Sequence, residues 1–357
     1  MYSIGENIKV TIFGQSHSEA IGAVIEGLPS GFEIDFDKVR KFMARRAPGK
    51  NRLSTMRKEK DEFEILSGIV DGKTCGSALC MMIKNSDAKS SDYSNLKLVP
   101  RPGHADFTAY MKYGGCNDIR GGGQFSGRMT APLCFAGAVC MQILEQKGIY
   151  IAGHIKSVHA KEDESFDMCN VTAEQLKVVS AKEFPTISDK CGDQMKQEIE
   201  TARASGDSVG GCVEIAVVGL PCGIGGPLFG GLEGKISSAI FAVPAVKGIE
   251  FGAGFDVCNM YGSENNDEFY SQDGKVKTRT NNHGGILGGI SSGMPLIFRA
   301  ALKPTPSISN MQKSVNLKTM EEEDLTIVGR HDPCIVHRAV PALEAATAVV
   351  IADMMNI

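Results

Sequence analysis

The sequence has no tryptophan, and only 6% of its 357 residues are aromatic. Its eleven cysteines are scattered, without a Cys-x-x-Cys pair. This argues against a metal site or a disulfide framework and favours free thiols, many of them buried. No apolar run approaches the length of a membrane span, and the first residues lack the charged-then-apolar pattern of a secretion signal. We therefore expect a cytoplasmic protein with no membrane partner.

A strong excess of charge of one sign is also missing. The formal net charge is -4, whereas a protein that coats nucleic acid usually carries a basic excess, so we expect no nucleic-acid partner. The segment around Lys235 fails the spacing of a nucleotide phosphate loop, which excludes a P-loop nucleoside triphosphatase. No Gly-x-Gly-x-x-Gly occurs between a strand and a helix, so a nicotinamide-binding Rossmann domain has no support.

Glycine, by contrast, is abundant, with 41 residues, and it is dense between residues 100 and 130. This stretch also contains His104 and three arginines among few bulky apolar residues. Glycines let the backbone approach a ligand closely, and arginine presents forked donors to carboxylate or phosphate. Histidine changes its charge near neutral pH. The pattern favours an anion-binding active-site loop, and a flexible surface loop is the alternative.

A basic segment precedes this stretch. Between residues 38 and 60 ten side chains are basic and only Glu59 is acidic. We predict that Arg45 and Arg46 leave a helix and enter a loop at residues 47–49, which favours a site for a small polyanion. A solvated charged face is the alternative. Nucleic acid is disfavoured here because no aromatic residues are interleaved for base stacking.

Hydrophobic periodicity predicts both strands and helices along the chain. The predicted strands are 7–13, 21–27, 63–70 and 77–83. The predicted helices are one around residues 39–43, a buried one at 131–147, an apolar C-terminal one at 342–355, and others within 160–205.

Five blocks, in chain order, resemble the chorismate synthase family. They are GQSHS at 14–18, RPGHADFTAYMKYG at 101–114, DIRGGG at 118–123, HGGILGGISSG at 283–293 and GRHDPC at 329–334. The resemblance implies an α/β fold of one domain over residues 1–357, a layered β-α-β sandwich of antiparallel sheets and helices. It also implies a homotetramer.

The resemblance further implies a reaction and a cofactor. The family converts 5-enolpyruvylshikimate 3-phosphate to chorismate, the last step of the shikimate pathway, by 1,4-elimination of phosphate and a ring hydrogen. It needs reduced FMN although there is no net redox change. Whether this chain also reduces the flavin with NADPH is left open by the sequence.

Site residues follow from the matching positions. His17 would act as an acid near the leaving phosphate, His104 would protonate or stabilise the reduced flavin, and Asp332 would assist the flavin atom that takes the ring proton. The implied substrate contacts are Arg45, Arg46, Arg52, Arg128 and Arg338. The implied flavin contacts are Gln124, Phe125, Ser126, Ala245, Gly284, Lys303, Pro304, Thr305, Pro306, Ser307 and Arg330.

The chain departs from the family pattern in three places. Gln15 and Ser18 replace residues of a usual GESHG, so the carboxylate before His17 is missing. Residues 124–127 depart from GGGRSSAR, which removes an arginine expected at the flavin phosphate, and Ala47 stands where a third arginine is common. We expect weakened or redistributed anion contacts and retained function.

Other interpretations stay open at this stage. His17 could be a solvated turn residue, and Asp332 could be a turn residue that caps the last helix. We expect His283 and His337 to be structural, and His154 and His159 to be surface or strand residues. The competing functions are a flavoprotein oxidoreductase with the same cofactor, and a non-enzymatic module that binds phosphometabolites or RNA through residues 38–60.

Overall fold

The structure is a computed structural model, and it describes residues 2–48, 61–85, 98–327 and 332–357. Its N-terminal sheet is antiparallel, with the strand order β1-β2-β3-β7-β4. On β7, alternate side chains are buried, as expected for a sheet with one face on a core. Strands β5 and β6 form a separate hairpin around Asp71-Gly72. The strands are β1 Ser3–Ile4, β2 Lys9–Gly14, β3 Ala20–Glu26, β4 Phe63–Ser67, β5 Ile69–Val70, β6 Lys73–Thr74 and β7 Leu79–Lys84.

A second antiparallel sheet has the strand order β11-β16-β10-β8-β9, and three further hairpins pair β12 with β13, β14 with β15, and β17 with β18. The central strand of this second sheet, β10, is buried along most of its length because it pairs with β8 on one side and β16 on the other. The strands are β8 Tyr150–Val158, β9 Lys161–Glu162, β10 Gly211–Val218, β11 Val246–Phe251, β12 Phe269–Gln272, β13 Lys275–Thr278, β14 Ile286–Leu287, β15 Ile290–Ser291, β16 Leu296–Leu302, β17 Gln312–Val315 and β18 Glu322–Leu325.

Two long apolar helices, α3 and α8, separate the sheets and pack against each other. Helix α3 contacts β2, β3 and β7 of the first sheet, and α8 contacts β8 and β10 of the second. This confirms the predicted layered sandwich. The helices are α1 Phe36–Arg46, α2 Asp106–Tyr113, α3 Thr130–Gln146, α4 Ala173–Ser180, α5 Asp189–Ala204, α6 Leu232–Phe241, α7 Gly262–Asn265 and α8 Val336–Met354.

Helices α3 and α8 are apolar around most of their circumference because both lie inside the core. They approach closely at Gly137, where an added Cβ would lie 2.3 Å from the Cα and Cβ of Ala345. Contrary to expectation, residues 127–146 are long and apolar enough to cross a membrane by composition alone. However, 78% of the 18-residue apolar window within that stretch is buried in the fold, as in the core helix of a globular protein.

The ends of two helices differ from the prediction. Helix α1 continues through Arg46 and does not release the two arginines into a loop, because each guanidinium finds a carboxylate: Glu344 for Arg45 and Asp61 for Arg46. The competing function, a non-enzymatic module that binds phosphometabolites or RNA through residues 38–60, would need free cations in that segment, and these two arginines are already paired with carboxylates. Helix α8 begins at Val336, ahead of the predicted residue 342, because burial of its first turns outweighs the penalty of Pro341.

Two smaller expectations also need correction. The eleven cysteines are free thiols as predicted, but only Cys134, Cys140 and Cys334 are buried. We expected His154 to be a surface or strand residue. It lies on strand β8 but is fully buried, and its ring bonds to Asp163 and Glu214.

Candidate active site

A cavity of about 510 Å³ opens between the loop after residue 100, the segment 303–307 and the start of α8. Its volume lies within the range of small-molecule sites. The fold thus brings together segments that are far apart in sequence, such as Arg46 and Arg338, which are 292 residues apart and in hydrogen-bond contact. The predicted site residues in its wall are His104, Asp332, Gln124, Phe125, Ser126, Ala245, Lys303, Thr305, Pro306, Ser307, Arg46, Arg128 and Arg338.

Several predicted residues lie elsewhere. Arg45 lines a second, smaller cavity and bonds to Glu344 through both guanidinium NH2 groups, at 2.5 and 2.9 Å. Gly284 lies outside the wall, where its backbone approaches that of Gly252. Pro304 is flanked by wall residues without lining the cavity itself. Arg52 and Arg330 fall outside the described ranges.

The glycine run 121–123 passes between the two histidines. All three residues have positive φ, a region that side chains rarely adopt. An added Cβ on Gly121 would lie 2.3 Å from Cε1 of His17, and one on Gly122 would lie 3.2 Å from Nε2 of His104. The backbone N–H of Ser16 donates to the carbonyl of Gly123 at 3.1 Å, which fixes the run against the N-terminal sheet. Glycine is therefore needed at 121 by both conformation and contact.

His17 is buried behind Gly121, with 7% of its surface exposed. The alternative of a solvated turn histidine is thus wrong. Its Nδ1 lies 3.0 Å from the Ser16 hydroxyl, which itself donates to the carbonyl of Arg120 at 3.0 Å. Because that hydroxyl hydrogen is already used, Nδ1–H donates to Ser16 Oγ. Ser16 therefore orients the His17 ring. It does so in a chain where Gln15 replaces the carboxylate residue that the family pattern usually has at this position.

His104 is held by Asp106, whose Oδ1 lies 2.7 Å from Nδ1 of the ring. Arg101 in turn donates to Asp106 from Nε at 2.7 Å and from an NH2 group at 2.8 Å. Burial favours the neutral acid, but the hydrogen bonds from Arg101 and His104 outweigh it and hold the pKa of Asp106 well below its usual value. Sequence alone predicted Arg101 only as one of three arginines in an anion-binding loop and predicted no role for Asp106, although both stand within three residues of His104.

Two wall arginines share one buried carboxylate. Asp61, with 1% of its side chain exposed, bonds to Arg46 through one oxygen and to Arg128 through the other. Burial favours the neutral acid, yet the two guanidiniums outweigh it and lower the pKa of Asp61. Two cations and one anion leave a net positive charge at the wall, which suits an anionic ligand. Asp61 was missed because no local motif links it to either arginine.

Asp332 and Arg338 form a further ion pair on this wall, at 2.5 Å. Arg338 also donates from Nε to the backbone carbonyl of Arg46 at 2.9 Å, which links Arg338 to the arginine pair around Asp61. Helix α8 is capped at Ile335, so the interpretation of Asp332 as its capping residue is wrong. His337, on the same helix, stacks on Phe184 inside the fold, and burial lowers its pKa to about 4.

Another part of the cavity wall has groups that suit a phosphate and an aromatic ring system. The Thr305 hydroxyl is buried and has no hydrogen-bond partner among the residues described. Lys303 lies beside it, and burial together with the charge of Lys247 lowers its pKa. Phe125, Val243 and Pro244 add apolar surface. An orphaned hydroxyl, a cation and an apolar face together fit a cofactor that carries a phosphate and an aromatic ring, as a flavin nucleotide does.

Comparisons with known proteins agree with this site. A sequence model of the family described as chorismate synthase matches residues 8–356. The chorismate synthase of Dehalococcoides mccartyi is 45% identical over 358 aligned positions, covering 99% of this chain and 96% of that protein. That of Thermococcus kodakarensis is 45% identical, covering 98% and 96%. A crystal structure of a chorismate synthase matches with a TM-score of 0.77 and 27% identity, over 98% of this chain and 92% of that chain. The chain therefore belongs to the chorismate synthase family.

Proposed function

We propose that the protein is a lyase that eliminates phosphate from 5-enolpyruvylshikimate 3-phosphate to give chorismate, with reduced FMN and no net redox change. This would be the last step of the shikimate pathway. The observation that carries the proposal is the convergence of His104, Asp332 and three paired arginines on one cavity. Family membership supports the same reaction.

The arginines would bind and orient the substrate. It carries two carboxylates and a phosphate, and Arg46, Arg128 and Arg338 offer forked donors to such groups. Asp61 and Asp332 fix the guanidiniums before the substrate arrives, so little reorganisation is needed on binding. Arg52, and Arg45 if its bond to Glu344 opens, stay predictions as further contacts.

His17, His104 and Asp332 would carry out the proton transfers of the reaction. In the reaction a C–O bond to phosphate and a ring C–H bond break at the two ends of a four-carbon unit, and the one C=C bond inside that unit is replaced by two conjugated C=C bonds. His104 would hold a proton close to the flavin. His17 lies behind Gly121 and outside the cavity wall, and its role as the donor of a proton to the leaving phosphate stays a prediction from the family resemblance. Asp332, fixed by Arg338, would assist removal of the ring proton. Reduced FMN, when bound, supplies the electron density that helps to break these bonds.

The flavin would lie against the segments at 124–126 and 303–307 and against Ala245. The Thr305 hydroxyl and Lys303 would bind its phosphate, and Phe125 would cover its ring. Gly284, Pro304 and Arg330 stay predictions as flavin contacts. We also propose one domain, a cytoplasmic location and a homotetramer, the last supported by the exposed side chains of Leu228 and Phe229.

Anaerobic turnover with chemically reduced FMN tests the proposal. We expect wild type to form chorismate and His17→Ala, His104→Ala and Asp332→Ala to lose about 100-fold or more in rate, the usual size of a lost proton-transfer group. The control is His159→Ala, which changes an exposed histidine in the turn between β8 and β9 and should keep the wild-type rate. Failure of wild type to bind either ligand, or full activity in all three variants, would overturn the assignment.

A further inference from the structure

The ring nitrogen Nδ1 of His104 has two neighbours that would require opposite protonation states of this nitrogen. Asp106 Oδ1, an acceptor, lies 2.7 Å away, and a guanidinium nitrogen of Arg101, a donor, lies 3.2 Å away. One nitrogen cannot donate to the first and accept from the second at once. The shorter contact decides, because an unprotonated Nδ1 and a carboxylate oxygen are both acceptors and would repel each other at 2.7 Å. Nδ1 and the Arg101 NH2 group both lie within hydrogen-bond distance of the same carboxylate oxygen, Asp106 Oδ1.

We propose that Asp106 is a positioning residue that holds His104 as its Nδ1–H tautomer and leaves Nε2 facing Gly122 and the cavity. The relevance of this to catalysis rests on the proposed function, but the orientation of the ring does not. An aspartate behind a histidine sets the tautomer in the same way in the Ser-His-Asp triad. Here the ring atom offered to the cavity would be Nε2, the nitrogen that can take up a proton and release it again.

Arg101 makes this arrangement rigid. Asp106 and Arg101 are both nearly inaccessible to solvent, and the carboxylate accepts two guanidinium hydrogen bonds and the backbone N–H of Arg101 at 3.0 Å. Lys303 donates to the carbonyl of Gly103, which fixes the loop that carries His104 to the segment proposed to bind the flavin phosphate. The imidazole is therefore oriented relative to that segment before any ligand binds.

Substitution of Asp106 by asparagine should reverse the tautomer. The amide has only one oxygen, and Arg101 needs it, so the amide NH2 group turns to Nδ1 of His104. Nδ1 then becomes an acceptor and the hydrogen moves to Nε2. The matched control is Glu198→Gln, which changes an equivalent carboxylate contact to Nδ1 of the exposed His159 at 2.8 Å, far in sequence from the cavity.

The measurement is nitrogen-15 NMR of ligand-free protein with labelled imidazole rings, assigned by comparison with His104→Gln. We expect the Nδ1–H tautomer in wild type and in Glu198→Gln, the Nε2–H tautomer in Asp106→Asn, and about 100-fold slower chorismate formation in Asp106→Asn alone. An Nε2–H tautomer of His104 in wild type overturns the proposal even if the variant does not fold, as does an unchanged tautomer in folded Asp106→Asn. The expected tautomers without chorismate formation by wild type would support the positioning role and contradict the proposed function.

Discussion

Buried carboxylates fix the arginines and the histidine of the cavity at the scale of single residues. Asp61 bonds to Arg46 and Arg128, and Asp106 bonds to His104. The sequence predicted the cations and the histidine, because their types and the family motifs point to anion chemistry. It could not predict Asp61 as their partner, since the contact depends on how β4 and the loop before α3 meet in the fold.

Replacing Asp61 by asparagine tests this. The change removes the carboxylate charge that compensates two buried guanidiniums, so we expect the free energy of unfolding to fall by about 3–5 kcal/mol and the KM for the phosphorylated substrate to rise. Urea unfolding and initial rates measure the two effects. Asp37→Asn, which removes an exposed aspartate paired with Arg40, should change stability by less than about 1 kcal/mol. Equal effects of both variants would contradict the account.

Two buried histidines give stability opposite dependences on pH. Burial disfavours the charged ring of His154, but the hydrogen bonds that the ring donates to the carboxylates of Asp163 and Glu214 outweigh this and raise its pKa above 6.5. Its contribution to stability is complete below pH 6.5 and is lost as pH rises through the folded-state pKa. Burial lowers the pKa of His337 from 6.5 to about 4, so its contribution is complete above 6.5 and is lost as pH falls towards 4.

The free energy of unfolding, measured by urea at a series of pH values, checks both signs. His154→Gln should remove part of the loss of stability on the alkaline side, and His337→Gln should flatten the curve between about pH 6.5 and 4. Each variant is the control for the other, because each should alter only one side of the curve. A slope changed on the wrong side in either variant would contradict the assigned direction.

At the scale of elements, the glycine run 121–123 connects the two proposed catalytic histidines. Sequence alone indicated that these glycines let backbone approach a ligand; in the structure Gly121 and Gly122 approach the imidazoles of His17 and His104 instead. A dense run of glycines predicts that some group comes close to the backbone. It does not tell whether that group is a ligand or a side chain of the protein itself. Helix ends were also hard to predict, because burial of α8 outweighs the break that Pro341 suggests.

A matched pair of substitutions separates contact from conformation. Gly121→Ala adds a Cβ 2.3 Å from the His17 ring, whereas Gly114→Ala, at nearly the same φ, adds one with no atom within 4 Å. Both should lose about 1 kcal/mol of stability from the left-handed backbone. Only Gly121→Ala should also lose activity, by about tenfold or more, because a displacement of the ring disturbs reactive geometry. Thermal unfolding and chorismate assays give the two quantities, and equal activity losses would refute the role of the contact.

For the whole molecule, the layered architecture was predictable only through family resemblance. Periodicity located strands and helices, but the placement of α3 and α8 between two sheets depends on contacts far apart in sequence, such as Gly137 with Ala345. The same placement brings the residue 100–130 loop and the 303–307 segment to one cavity. That the chain acts as one domain and as a homotetramer stays a prediction.

The central claim is that this cavity performs an elimination in which the flavin assists without being consumed. The most direct measurement is the amount of chorismate and phosphate formed per reduced FMN under strictly anaerobic conditions, with the flavin absorbance recorded throughout. We predict many equivalents of chorismate per flavin, one phosphate for each chorismate, and flavin that is still reduced at the end. One product per flavin with stoichiometric flavin oxidation would indicate an oxidoreductase and contradict the claim.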